Sequence, residues 1–187
     1  MYLKRNDELA VMALYLGGYT RQFYLREISR LAKIPLKTVQ RIVGLLVKSK
    51  ILRSRIHGKN KYFTLNLENI QSKLCLLRAE IYKTQLFLEK YPQCKTFAKG
   101  ITHTPIIVFG SFAKFAAEKD SDFDLLIISG EEVPLHLLPY KAHEVRLSEK
   151  VFMKASEQTL VKEIEENHVI LNNHSFYVDG MWSRYAR

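Results

Sequence analysis

Apolar residues recur at three- and four-residue steps through the first fifty positions. From Arg5 to Leu16, Leu9, Met12, Ala13 and Leu16 share one helical face, and Gly17-Gly18 stops the run. In "YLREISRLAKIP", Leu25, Ile28, Leu31 and Ala32 form a second stripe, and Pro35 both ends it and can open the next helix. Across "PLKTVQRIVGLLVKSK", Val39, Ile42, Val43 and Leu46 make the inward side and leave Lys37, Gln40, Arg41, Gly44 and Lys48 facing out. The period then falls to two. "ILRSRIHGKNKYFTLN" alternates Leu52, Ser54 and Ile56 with Arg53, Arg55 and His57, turns at "HGKN" and returns through Tyr62, Phe63 and Leu65, which predicts a hairpin with a cationic tip.

After Asn66, Ile70, Leu74, Leu77, Ile81 and Leu88 mark a long helix that Pro92 ends. Cys75, Leu76, Tyr82 and Phe87 widen its apolar face, so the helix can pack on both domains or on a second copy of the chain, a candidate homodimer. "PIIVFG" and "FDLLII" are short apolar runs flanking the helix-compatible "SFAKFAAE", as in a strand–turn–helix–strand unit. The tail "ASEQTLVKEIEENHVILNNHSFYV" predicts a helix with Leu160, Val161 and Ile164 inward, then a strand, a turn at Asn172-Asn173 and a closing strand.

The chain has 187 residues, enough for one domain or two small ones, and a net charge of +10. That charge is local. Residues 1–66 hold fourteen Lys and Arg against three Asp and Glu, a net of +11, and residues 67–187 hold fifteen against sixteen, a net of −1. Such asymmetry points to a basic module that meets a polyanion, joined to a near-neutral module with another task. No run reaches the length of a membrane span, and "MYLKRNDELA" carries charges where a signal peptide needs its apolar core, so the expected location is the cytoplasm, with no membrane partner. Cys75 and Cys94 read as buried or idle thiols, and the six histidines show no pair at metal-ligand spacing.

The order helix, helix, turn, helix, basic hairpin resembles the winged helix-turn-helix domain, through "LREISRLAKIPLKTVQRIVGLLVKSKIL" and the hairpin after it. The resemblance implies binding of double-stranded DNA. The helix after the turn would enter the major groove and the wing would lie along phosphates. Lys37, Thr38, Gln40 and Arg41 would then read or position, while Arg53, Arg55, Lys59 and Lys61 would grip the backbone.

Within "VFGSFAKFAAEKDSDFDLLII", Asp122 and Asp124 are spaced i, i+2, which on a strand sends both carboxylates to one side. Oxygen ligands at that density suit Mg²⁺ or Mn²⁺ together with substrate phosphates. Gly110 lets a phosphate approach the backbone, Ser111 offers a hydroxyl, and a helix beginning near Phe112 would point N–H groups at an anion. "GSFAKFAAEKDSDFDLL" resembles the signature of the DNA polymerase β nucleotidyltransferase superfamily, most closely its minimal prokaryotic members, over roughly residues 100–175. The resemblance implies that Gly110 and Ser111 hold the triphosphate of an NTP and that Asp122 and Asp124 bind the metal ions. Lys114 stands where it implies a basic residue near phosphate, and Phe115 stands where the family often has glycine. Its third carboxylate comes from the neighbouring strand, expected in "KAHEVRLSEKVF", where Glu144 is the candidate, with Arg146 at i+2 as a competing ion-pair partner and Glu149 as the alternative.

The expected fold class is α/β, of the α+β kind. A winged helix-turn-helix over residues 1–66 leads through a linker helix at 67–99 to a small mixed-sheet nucleotidyltransferase-like domain at 100–187. The expected activity is transfer of a nucleoside monophosphate to an unidentified acceptor. The alternative is a transcription regulator whose incomplete transferase domain senses a nucleotide.

Overall fold

The stripe and alternation patterns reappear as elements in the computed structural model, which describes residues 5–128, 132–154 and 159–186. By their contacts these residues form two units, one of residues 1–79 and 181–187, the other of residues 80–180.

In the first unit, helix α1 (Asp7–Met12) starts where the Asn6 side chain accepts a hydrogen bond from the Leu9 N–H at 3.1 Å, and it tightens into a 3-10 turn over Ala13–Tyr15. A three-residue strand, β1 (Gln22–Tyr24), follows and was not legible as a strand. Helix α2 (Leu25–Ala32) ends on Lys33 in the left-handed conformation, and helix α3 (Leu36–Lys48) begins after Pro35, burying Val39, Ile42, Val43 and Leu46 as the spacing predicts. Strands β2 (Leu52–His57) and β3 (Asn60–Leu65) form the hairpin, with β1 on the other side of β3, in an antiparallel sheet of order β1-β3-β2. Beyond Leu52 strand β2 leaves the core, and Ile56 is 75% exposed.

The second unit includes the end of helix α4 (Ile70–Lys90) and helix α5 (Lys95–Gly100). Strand β4 (Ile106–Val108), the four-residue helix α6 (Gly110–Ala113), strand β5 (Phe123–Ile127) and strand β6 (Ala142–Arg146) come next. They are followed by helix α7 (Glu149–Lys154), helix α8 (Thr159–Glu166), strand β7 (Val169–Asn172) and helix α9 (His174–Tyr185). The sheet order is β6-β5-β4-β7, with β5 and β6 parallel and the other neighbours antiparallel. One side of it carries an aromatic and aliphatic core that includes Phe87, Tyr91, Phe97, Phe112, Phe123 and Leu125. Both cysteines are buried, and burial pushes the Cys94 thiol up to about 12.

The tail departs from expectation. A helix, α9, stands where a closing strand was predicted after Asn172-Asn173. Tyr177, Val178 and Met181 are its buried apolar side chains, a helical spacing that the short run "SFYV" ends too soon to show. Residues 155–158, at the head of the predicted preceding helix, lie outside the described residues.

A buried polar pair ties α4 to the segment before β7. The Nδ1–H of His168 donates to the Ile164 carbonyl at 2.8 Å, which turns Nε2 to within 2.8 Å of Glu80 Oε1, both side chains being fully buried. The second oxygen of Glu80 has no hydrogen-bond partner among the described residues. Removing one member of such a pair strands the other in a medium of low dielectric. His168→Leu is therefore expected to lower unfolding free energy by roughly 3–5 kcal/mol in urea denaturation, and Glu80→Met/His168→Leu to regain most of that loss. Equal losses in the single and double variants would refute the coupling.

Nearby, His174 Nε2 lies 2.9 Å from Thr84 Oγ1, and burial holds its imidazole below 6.5, with the Glu80 charge and the Ile170 backbone opposing. The unfolded chain then takes up the proton first, so His174 contributes stability above pH 6.5 that is lost as pH falls below it. Urea midpoints measured on both sides of that pH should show a fall on acidification that His174→Gln reduces.

Candidate functional site

Strand β4 is buried along its whole length and delivers the chain to Gly110 at φ +66. A Cβ there would stand 2.1 Å from Asp124 Oδ2, so a residue without a side chain is what lets this turn touch the carboxylate. Helix α6 begins at Gly110 rather than near Phe112, and its four residues are too few to sum into a macrodipole. What the turn offers an anion is local: the N–H groups and the Ser111 hydroxyl. Phe115, where the resemblance implies glycine, takes the left-handed conformation at φ +57. Its ring packs on Phe87 at 6.2 Å between centroids, and its carbonyl accepts a hydrogen bond from Lys90 Nζ.

Phe123 is fully buried, and the residues on either side of it, Asp122 and Asp124, emerge on the opposite side of the strand. Each meets a nitrogen donor from the β6 segment. Lys141 Nζ lies 3.4 Å from Asp122 Oδ1, and His143 Nδ1 donates to Asp124 Oδ1 at 3.1 Å. The parallel register sets Asp124 level with His143 and Leu125 level with Glu144. Glu144 consequently lies on the other side of β6, where its Oε2 accepts from Arg146 Nη2 at 3.0 Å and Nε at 3.2 Å. The expected third carboxylate is thus not brought to the aspartate pair, and the competing ion pair with Arg146 is the one that forms. Glu149, the alternative, starts α7. Lys114 pairs with Glu163 at 3.6 Å rather than with the aspartates. Among the described residues no three His, Cys, Asp or Glu side chains are arranged to hold a metal ion. His143 was missed because the strand register decides which of two adjacent residues faces the pair.

In the first unit, Lys37, Gln40, Arg41, Arg53, Arg55, Lys59 and Lys61 are exposed and Thr38 is half-buried. A groove of about 640 Å³ gathers Gln40, Lys59 and Lys61 together with Tyr24, Arg26 and Leu36. Arg41, one residue further round α3, faces another groove with Arg5 and Leu45. The helical step of about 100° per residue separates the two side chains that the sequence sets next to each other. Arg53 forms an ion pair with Glu68, and that hydrogen bond holds the Glu68 carboxyl below the usual carboxylate range. Tyr24 and Arg26 were missed because "QFYLRE" reads as the approach to α2 and hides the short strand β1.

No curated protein and no solved structure matches the chain. The family model of the nucleotidyltransferase domain does match, over residues 93–172, a stretch that holds the Gly110 turn, both aspartates, β6 and β7. The chain therefore carries a nucleotidyltransferase domain at residues 93–172.

Proposed function

We propose that this chain is a DNA-binding nucleotidyltransferase that moves a nucleoside monophosphate from an NTP to an acceptor hydroxyl. The observation that carries this reading is the contact between Gly110 and Asp124, where a Cβ would come within 2.1 Å of the carboxylate. It sets the turn suited to phosphate directly against the carboxylate suited to a metal ion. The two carboxylates, one paired with Lys141 and the other hydrogen-bonded to His143, fit one Mg²⁺ or Mn²⁺ completed by phosphate oxygens and water. When bound, the ion neutralises charge on the phosphoryl oxygens and on the departing pyrophosphate. Asp122 and Asp124 fix its position, while the Gly110–Ser111 turn orients the triphosphate for in-line attack. The acceptor oxygen then bonds to the α-phosphorus as the bond to the bridging oxygen breaks, and the hydroxyl proton passes to solvent.

In the first unit the order of helices and hairpin, with exposed cations on α3 and on β2–β3, supports a winged helix-turn-helix that binds duplex DNA. A second reading, a nucleotide-responsive DNA-binding regulator, is favoured by the Glu144–Arg146 pair, which leaves the site with two acids.

Label from α-labelled NTPs, followed into protein, nucleic acid and small molecules of a cell extract, separates the readings. Transfer that Asp124→Asn abolishes and Glu144→Gln leaves unchanged supports the enzyme, whereas no transfer alongside an NTP-dependent rise in melting temperature supports the regulator. Gly110→Ala is expected to cost about 1–2 kcal/mol, from its left-handed backbone and the displaced Asp124, and to erase the NTP-dependent rise.

For DNA, the affinity of the full chain should fall by about 0.9 log unit per log unit of salt for each phosphate neutralised. Arg55→Ala or Lys59→Ala should weaken all duplexes about equally and lower that slope by about one, while Gln40→Ala should also relax sequence preference. Fluorescence anisotropy across a salt series checks this, and binding indifferent to salt would end the DNA reading.

A further inference from the structure

Strand β6 is the edge of the second unit's sheet, and its alternation sorts its charged residues onto two sides. Glu144 and Arg146 neutralise each other on one. On the other, where a third carboxylate would have to stand to join Asp122 and Asp124, the chain presents Lys141 and His143. Their side chains are 84% and 65% exposed, so the two contacts are of the kind that contributes little stability and exchanges readily. A divalent ion that binds the two carboxylates competes with the Lys141 ammonium and the His143 N–H for their oxygens, and it leaves both donors beside whatever anion the metal brings. Lys114 pairs with Glu163 rather than with the aspartates, so among the candidate phosphate contacts those of the β6 segment already face the pair.

We propose that Lys141 and His143 form a triphosphate-binding edge that works by exchange. Without metal and nucleotide they hold the aspartates, Lys141 as counter-ion to Asp122 and His143 as hydrogen-bond donor to Asp124, and when metal takes the aspartates they transfer to the phosphate oxygens of the NTP. This inference rests on the nucleotide-binding reading above and adds two phosphate ligands to it. It also gives the exchange a direction, since each donor opposes metal binding in the absence of nucleotide and favours it in its presence.

The test uses the full chain and three variants, Lys141→Met, His143→Gln and the double substitution, each first checked for an unchanged circular dichroism spectrum. Binding of Mn²⁺ alone, read from the electron paramagnetic resonance signal of the free ion, is expected to tighten in the double variant by about two- to fivefold, the value of the lost competition. Binding of a non-hydrolysable NTP with Mg²⁺, read by calorimetry, is expected to weaken by about tenfold or more, the value of charge-assisted hydrogen bonds to phosphate. The opposite signs are the signature, because a general disturbance of the site would weaken both. Lys141→Arg, which keeps the charge, should retain nucleotide affinity. Variants that match the wild type in both measurements, or that lose both affinities together, overturn the exchange while leaving the nucleotide reading in place. A wild type that binds no nucleotide overturns that reading and this inference with it.

Discussion

Phe123 is the residue on which the aspartate-bearing side of the second unit depends. Its ring is fully buried, lies 4.6 Å from Phe112 and 6.2 Å from Phe87, and stacks on Tyr140 at 5.7 Å. Burying such a side chain stabilises by about 1.5–3 kcal/mol, and the aromatic contacts add to that. Because a strand alternates, seating Phe123 in the core fixes Asp122 and Asp124 on the other side. A slip of one residue would drive both carboxylates into the aromatic cluster and expose Phe123, Leu125 and Ile127, a penalty comparable with the whole stability of a small domain. The same register carries across to β6 and selects Lys141 and His143 as the residues that face the pair.

Helix α6 is framed by two left-handed residues that arrive there for different reasons. Gly110 is required by space, since a Cβ would collide with Asp124. Phe115 has no such reason, and the left-handed backbone costs a non-glycine residue about 1–2 kcal/mol. The contacts of its ring with Phe87 and the hydrogen bond from Lys90 to its carbonyl offset that cost. A glycine would reach the same angle without strain but without an anchor. Here packing, rather than backbone freedom, fixes the turn that leads from Gly110 and Ser111 toward the aspartates.

What the sequence made legible is what depends on near neighbours along the chain. The buried stripe of α3, the cationic hairpin, and the Gly-Ser and Asp-x-Asp elements on one strand–helix–strand unit follow from periodicities of two or 3.6 residues and from residues that fill special turns. What it left illegible depends on elements far apart in sequence. Glu144 and His143 are adjacent, and only the parallel pairing of β5 with β6 decides which of them faces Asp124. Strand β1 has three residues and is held by pairing with β3 rather than by any strong preference of its own. In α9 the short run "SFYV" reads as well for a strand, and the burial of Met181 four residues after Tyr177 reveals the helical period. Gln40 and Arg41 are neighbours that a helix turns toward different grooves.

The two units, each taken by itself, handle charge in opposite ways. In the first, Arg55, Lys59 and Lys61 stand exposed on the hairpin, and among the described residues no ion pair engages them. Unmatched charge of one sign projects a field, which suits a ligand that is itself a long polyanion and is bound through displaced counter-ions. In the second, Asp122 is paired with Lys141 and Asp124 is hydrogen-bonded to His143 on the adjoining strand segment. On the proposed reading, a free metal ion or a free phosphate would have to compete with a partner that is already present. A metal and a polyphosphate arriving together would satisfy both halves at once, the ion taking the carboxylates and the phosphates taking the Lys141 and His143 donors. Such pairing would favour the combined ligand over either component, a property that a third carboxylate in place of His143 would remove.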